Sequence, residues 1–262
     1  MLRAMYTAAT GMEAQQLNID TIAHNLANIN TSGYKARRAQ FQDLLYQNIR
    51  QAGASNTADT EIPVGLQVGL GTKPVADGIN YAQGDHAQTN GSLDLVIQGR
   101  GFFQIRMPNG QIGYTRNGNF HLNRDGNIVT ADGDFLDPQI SIPDNQVGIT
   151  IGSDGTVSVS LADQAEPEEV GRIELAMFQN PSGLKPMGKN IMMPTQSSGD
   201  AITGVPGEEG LGTLLQGFIE QSNVSVVEEM VKMIVSQRAY EANSKVIRTA
   251  DEMFTKINNI IR

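Results

Sequence analysis

The stretch Val224 to Arg262 narrows the choice of folds more than any other part of the chain. From Val226 onward it contains neither Gly nor Pro, and its apolar residues fall in adjacent pairs at heptad steps: Ala239/Tyr240, Val246/Ile247, Met253/Phe254 and Ile260/Ile261. Ala250 and Ile257 lie one helical turn below the preceding pair, so the predicted helix carries a broad apolar band and not a thin seam. Such a band needs more than one neighbour. Glu228 to Lys232, Glu241 to Lys245 and Glu252 to Lys256 each place an acid one turn before a base, the orientation that supports a helix. Helical from Val224 to Ile261, the stretch would measure about 57 Å, longer than a compact domain of this size would usually enclose.

The first segment is its counterpart. Leu2, Met5, Ala9, Met12, Gln16, Ile19, Ala23 and Leu26 alternate steps of three and four, with Ile22 and Ile29 widening the stripe. This predicts a coiled-coil-like helix whose single polar seam member, Gln16, would help fix register. Two terminal helices bracketing a non-helical middle favour mutual pairing; the alternative is a helix packed on the globular body of the same chain. Asn28, Asn30, Thr31, Ser32 and Gly33 end the helix, with Gly33 able to take the left-handed conformation.

Between the helices the periodicity changes. Tyr34 to Tyr46 admits helix or strand, with a lean towards extended chain, and Gln51 to Thr60, which has no apolar residue larger than Ala, reads as an exposed loop or a segment ordered only by a neighbour. A short apolar piece, Ile62 to Leu70, follows. From Lys73 to Gln216 the pattern is all-β. Leu93 to Ile97 and Phe102 to Ile105 flank Gly99 and Gly101, and turn signals recur at Asn109-Gly110, Asn117-Gly118, Asp125-Gly126, Asp132-Gly133 and Asp154-Gly155. Arg172 to Phe178 adds a further strand. Thr195 to Gly217, rich in Gly and carrying Pro206, reads as a flexible return path to the last helix. The expected fold class is therefore α+β: long N- and C-terminal helices, an all-β middle domain and an extended connecting region. The corresponding parts are 1–33 with 217–262, 34–72, and 73–216.

Charge follows the same division. Of the net −9, residues 1–40 contribute +2 and residues 217–262 contribute 0, which leaves −11 for the middle. An acidic body repels nucleic acid and anionic membrane at long range, so neither is an expected partner, while balanced ends can crowd together without accumulating like charge. No apolar run approaches transmembrane length, so direct membrane insertion is not expected, and the N-terminus lacks the apolar core and small-residue cleavage site of a secretory signal. With no cysteine, disulfide scaffolds and thiolate metal sites are excluded.

Catalytic chemistry finds little footing. His24, His86 and His121 have no second ligand type at metal-site spacing, and Asp125, Asp132, Asp134 and Asp137 lack the alternation and terminal Glu of a calcium loop; hairpin turns account for Asp125 and Asp132. Gly69-Leu70-Gly71-Thr72-Lys73 lacks phosphate-loop spacing, and Gly152-Ser153-Asp154-Gly155 falls short of a nucleophile elbow. No catalytic residue, metal ligand or cofactor is expected. The rival to a self-assembling structural subunit is a β-rich module that binds or hydrolyses an extracellular polymer, with the helices serving only for oligomerisation.

Three runs carry a family resemblance. Asn25-Leu26-Ala27-Asn28-Ile29-Asn30-Thr31-Ser32-Gly33-Tyr34-Lys35 resembles the N-terminal motif of bacterial flagellar rod and hook proteins. Gly217, Glu220, Ser222-Asn223-Val224, Glu229-Met230-Val231 and Gln237 to Asn243 resemble the C-terminal motif. Leu93 to Ile97 with Gly101-Phe102-Phe103, and Tyr114-Thr115-Arg116 with Gly118 and Phe120, resemble the β-domain motif of the longer members. Ser225, and Phe218-Ile219, depart mildly from the family pattern. Length and the Tyr46 to Gly71 stretch match the distal rod type, which forms a straight, stiff tube; a proximal rod protein of similar length is the alternative.

The resemblance implies a helical homopolymer whose terminal helices form the coiled-coil-like D0 inner layer. Its implied partners are proximal rod proteins, hook protein, the surrounding ring proteins and the flagellar type III export apparatus. The implied location is the basal body, in a rod crossing the periplasm towards the outer membrane, reached without a cleaved signal peptide. The residues expected at the assembly interface are Leu2, Met5, Ala9, Met12, Ile19, Ala23 and Leu26 of the first helix, and Tyr240, Ile247, Ala250, Phe254, Ile257 and Ile261 of the last.

Overall fold

The structure, a computed structural model, describes residues 2–51, 55–57, 60–61, 63–162 and 166–260. The chain divides into two compact units: Met1–Ala27 with Arg37–Ile79 and Ser225–Arg262, and Asn28–Ala36 with Asn80–Val224. They are called here the helical unit and the β unit.

In the helical unit, α1 (Leu2–Ala27) and α2 (Val226–Ile260) pack side by side. Their lengths, at 1.5 Å per residue, are about 39 and 52 Å. They run antiparallel, because Asn18, near the middle of α1, meets Ser236, and Asn25, near its end, meets Glu229, near the start of α2. Of the three acid-to-base pairs expected one turn apart on α2, Glu228 to Lys232 closes at 4.0 Å; Glu241 instead takes Arg238 at 3.5 Å. Both are exposed and contribute at most a few tenths of a kcal/mol.

Residues 37–79 fold back on themselves as a two-stranded ribbon, which settles the ambiguous stretch after Tyr34 in favour of extended chain. Arg37–Asp43 pairs antiparallel with Thr72–Ile79, Tyr46–Arg50 with Leu66–Gly69, and Ser55–Thr57 with Thr60–Glu61 near the tip. Ser55–Thr57 and Thr60 are therefore strand within the stretch Gln51 to Thr60 expected as a loop, which corrects that reading there; residues 52–54, 58–59 and 62 lie outside the described residues. The ribbon is fixed to α1 at two points. Asn25 brackets Arg37, donating Nδ2 to its carbonyl and accepting its N–H, each at 2.8 Å. Further along, Thr10 Oγ1 accepts the N–H of Thr72 where Gly71, at φ +117°, turns against it. A Cβ on Gly71 would stand 2.2 Å from Thr10 Oγ1, so a side chain there displaces the ribbon.

The β unit is organised by the strand Phe102–Arg106, buried on both faces. It pairs with Ile112–Thr115, Phe135–Asp137 and Leu175–Met177 inside a nine-stranded sheet. Side chains alternate across a strand, so its adjacent rings enter different cores. Phe103 joins Leu95, Ile97, Ile105, Leu136, Val157 and Leu175, and Phe102 joins Tyr114, Phe178, Leu184 and Met192. The three-stranded sheet Gln146–Ile151, Thr156–Leu161 and Glu168–Arg172 supplies Val157 and Val159 to the first core.

Four of the five turn signals close hairpins with Gly at positive φ: Gly110, Gly126, Gly133 and Gly155. Asn117-Gly118 does not. The strands beside it, Ile112–Thr115 and Phe120–Leu122, do not pair with each other, and Gly118 is absent from the positive-φ glycines. Its requirement is close approach: a Cβ would lie 1.7 Å from the carbonyl oxygen of Leu95.

The expected flexible return path is also corrected. Ile202–Gly204 pairs with Leu175–Met177 and Thr213–Gln216 with Leu95–Gln98, while Leu211 and Leu214 are buried in the core. The Gly and Pro residues there shape turns between short strands, and two leucines give each turn an apolar anchor.

Candidate assembly surfaces

The packing of α1 on α2 differs in kind from the apolar seam expected. On α1 the positions at the contact are Gly11, Asn18 and Asn25, a heptad apart, and on α2 Asn243, Ser236 and Glu229, also a heptad apart. Asn18 Nδ2 donates to Ser236 Oγ at 2.8 Å, and Asn25 Nδ2 donates to Glu229 Oε2 at 3.1 Å. A Cβ on Gly11 would stand 2.8 Å from Asn243 Nδ2. Ala8, Ala14 and Ile22 of α1 and Ala250 of α2 complete the buried set. Small side chains let the backbones approach, and buried polar pairs fix register at the cost of apolar area. The register residue is Asn18, not Gln16, which is exposed.

The residues expected at the assembly interface divide accordingly. Ala250 is buried within the chain; Met5, Met12, Ile19, Leu26, Ile247 and Phe254 are half-buried at the edges of the polar seam. Ala9, Ala23, Leu2 at 75%, Tyr240 at 40% and Ile257 at 42% are exposed. Ile261 lies outside the described residues. Val227, Met230, Val231, Ile234, Val235, Val246 and Met253 are exposed too, so α2 presents a long apolar surface that its partner helix leaves uncovered. The sequence stripe on α1 sits one residue off the seam: Gly11, Asn18 and Asn25 make the contact inside the chain, while Met12, Ile19 and Leu26 stand half-buried beside it. The signal that finds the seam is the heptad of small polar residues in both helices.

A second arrangement lies in the β unit and was not visible as chemistry in the sequence. Lys35, Glu220 and Arg116 form a buried triad, with side-chain exposures of 2%, 1% and 5%. Lys35 Nζ stands 2.5 Å from Glu220 Oε1, and Arg116 Nε donates to Glu220 Oε2 at 2.9 Å. Glu220 Oε1 also accepts the N–H of Gly84 at 3.0 Å. Lys35 Nζ donates to Ala82 O, and the Arg116 guanidinium donates to the carbonyls of Gly101, Gly99 and Ile97. Beside the triad, Asn223 ties two other segments: its Oδ1 accepts Ala36 N–H at 2.7 Å, and its Nδ2 donates to Asn80 O and Ala82 O, both at 2.9 Å. Ala36 O accepts the N–H of Asn80 and Glu220 O that of Gly33. The motif residues Gly33, Lys35, Arg116, Glu220 and Asn223 are thus one structural node, holding together three points at which the chain enters or leaves the β unit.

The electrostatics of the node are lopsided. Burial by itself would raise the Glu220 carboxyl, but Arg116 and Lys35 outweigh it and hold the group below the ordinary carboxylate range. Burial lowers the Lys35 ammonium against the pull of Glu220, and Arg116 pushes it further down. The two directions agree with two cations around one carboxylate: the acid is stabilised as an anion, and the surplus charge bears on the lysine. Because Glu220 binds its proton less readily folded than unfolded, its contribution is present above the ordinary carboxylate range and lost as pH falls through the folded value. Urea unfolding between neutral pH and pH about 3 should show stability falling with acid, with a shallower fall in Glu220→Gln. Equal slopes would remove the triad from the acid response.

Among the described residues no helix is long and apolar enough to cross a membrane, and no group of three or more His, Asp or Glu could hold a metal ion.

Comparison with known proteins places these features together. Residues 5–35 match the family model described as flagella basal body rod protein, residues 96–159 the flagellar hook protein FlgE/F/G D1 domain, and residues 215–260 the flagellar basal body rod FlgEFG protein C-terminal model. The chain is 46% identical over 260 residues to flagellar basal-body rod protein FlgG of Buchnera aphidicola subsp. Schizaphis graminum, covering 99% of this chain and 100% of that one. It is 48% identical over 264 residues to that of Borreliella burgdorferi, covering 100% of both. With that of Caulobacter vibrioides it shares 49% identity over 253 residues, 96% of this chain and 97% of the other.

Proposed function

Because the chain belongs to the FlgG family of flagellar basal-body rod proteins, we propose that it is a structural subunit of the distal rod, polymerising into a straight, rigid tube that transmits torque to the hook. The observation that carries this reading is the apolar surface of α2. The helix spends small and polar residues on its own partner and leaves Val231, Ile234, Val235, Tyr240, Val246, Met253 and Ile257 exposed. Contiguous apolar surface on this scale marks a protein contact.

In this reading the ends, 1–33 and 217–262, are the assembly domain, 34–72 is the connecting region and 73–216 the outer β domain. Copies of α2, each already paired with α1, meet through the band that includes Tyr240, Ile247, Phe254, Ile257 and Ile261. On α1, Leu2, Met5, Ala9, Met12, Ile19, Ala23 and Leu26 flank the polar seam and take the same role. Partners beyond further copies are the proximal rod proteins, hook protein, ring proteins and type III export apparatus. The subunit works in the basal body where the rod crosses the periplasm, and its role there is structural.

The ribbon supports the straight form, since Phe41, Leu45, Tyr46, Ile49, Val64, Leu66 and Val75 are exposed along it and a two-stranded ribbon cannot cover them itself. Purified full-length chain should assemble into straight tubes in electron micrographs, and a chain lacking residues 47–70 into tubes that bend more. Failure of the full chain to polymerise at any concentration would overturn the subunit role; unchanged straightness after the deletion would overturn the part given to the ribbon.

A further inference from the structure

Next to the Lys35–Glu220–Arg116 triad the β unit contains a cavity of about 380 Å³ that the assembly role does not use. Its walls are Tyr81, Phe102, Met177, Phe178 and Pro181 with the backbone of Gly99 to Gly101, Arg100 and Gln179 complete it, and Lys35 and Arg116 both line it. The rings are held firmly: Phe102 packs edge-to-face on Tyr81 at 5.9 Å and on Phe178 at 6.0 Å.

Both cations reach this cavity with donors to spare. An ammonium has three N–H donors and a guanidinium five. Among the described residues Lys35 finds two acceptors, Glu220 Oε1 and Ala82 O. Arg116 finds four, Glu220 Oε2 and the carbonyls of Gly101, Gly99 and Ile97. Two positive groups against one carboxylate leave one surplus positive charge at a site where burial makes an uncompensated charge costly. One further monoanion would balance it. A carboxylate matches in charge and, with two acceptor oxygens, in the two donors left over. The apolar and aromatic walls select the rest of the molecule.

We infer that this cavity is a binding site for a carboxylate carried on an apolar or aromatic body, with Lys35 and Arg116 as its anion-binding groups. The carboxylate comes either from a small free acid or from an acidic side chain of a second copy of this chain.

The probe is benzoate, with benzamide as the neutral isostere, titrated into the full-length chain while the ring signals of Tyr81, Phe102 and Phe178 are followed by NMR. Benzoate should give saturable shifts at all three rings, with affinity at least about tenfold above that of benzamide. Arg100→Glu, an exposed cavity residue outside the triad, should weaken benzoate at least about tenfold with thermal unfolding unchanged. Absence of saturation, or equal affinity for the two probes, overturns the site. The assembled polymer separates the sources. Benzoate excluded from the polymer and slowing its growth identifies a second copy as donor, and benzoate binding unchanged in the polymer identifies a free acid. The ring signals report on binding whether or not the chain polymerises, so failure here leaves the rod reading untouched.

Discussion

Glu220→Gln is expected to destabilise the β unit by about 3–5 kcal/mol, the range for breaking a buried ion pair by removing one partner. The amide oxygen still accepts the Gly84 N–H and the side chain fits the same space, but its Nε2 faces the Arg116 Nε–H, donor against donor, and two buried cations, Lys35 and Arg116, are left without an anion. Lys35→Met should cost far less, because it leaves Glu220 and Arg116 as a neutral one-to-one pair and removes the group that burial already holds below its usual range. Arg116→Met falls between, since three carbonyls lose their donor as well. Urea unfolding of the three variants at neutral pH measures the order. A Lys35→Met chain as unstable as Glu220→Gln would mean that packing and not charge balance holds the node.

How far the sequence discloses such features depends on the kind of signal each leaves. The helices and the β middle are legible because apolar periodicity is the signal that burial writes. The hairpins at Asn109-Gly110 and Asp132-Gly133 are legible because their turn type demands positive φ. Asn117-Gly118 carries the same letters for another reason, the passage of the Leu95 carbonyl, and letters alone do not separate the two. The return path misled because six glycines and a proline outweigh the buried Leu211 and Leu214, which show no period. Lys35, Arg116 and Glu220 stand far apart in the chain, and nothing local marks a lysine that will be buried. They were visible only as members of family motifs. The helix seam was hidden for the opposite reason: the apolar stripe is so pronounced that it draws attention from Gly11, Asn18 and Asn25, which make the contact.

That inversion gives the other large effect. Ile257→Asp is expected to abolish assembly while the β unit keeps its unfolding transition. Ile257 lies on α2 in the helical unit, on the heptad row of Glu229, Ser236, Asn243 and Ala250 but past the point to which α1 reaches, and is 42% exposed. The substitution therefore leaves Asn18–Ser236 and Asn25–Glu229 in place, and the chain alone tolerates a charge at a position open to water. Assembly does not. Burying an Ile side chain against neighbouring copies contributes about 1.5–3 kcal/mol, and an unpaired carboxylate in its place adds a desolvation cost. A loss of about 3 kcal/mol raises the critical concentration for polymerisation by roughly two powers of ten. Ile257→Leu keeps area and volume and should polymerise as the parent does. The measurement is pelleting across a concentration series, with the β unit followed by near-ultraviolet circular dichroism. Tubes forming from Ile257→Asp at the parent's critical concentration would mean that this end of α2 faces water in the polymer. The contact between copies would then have to be sought nearer the start of α2, at Val227, Val231, Ile234 and Val235.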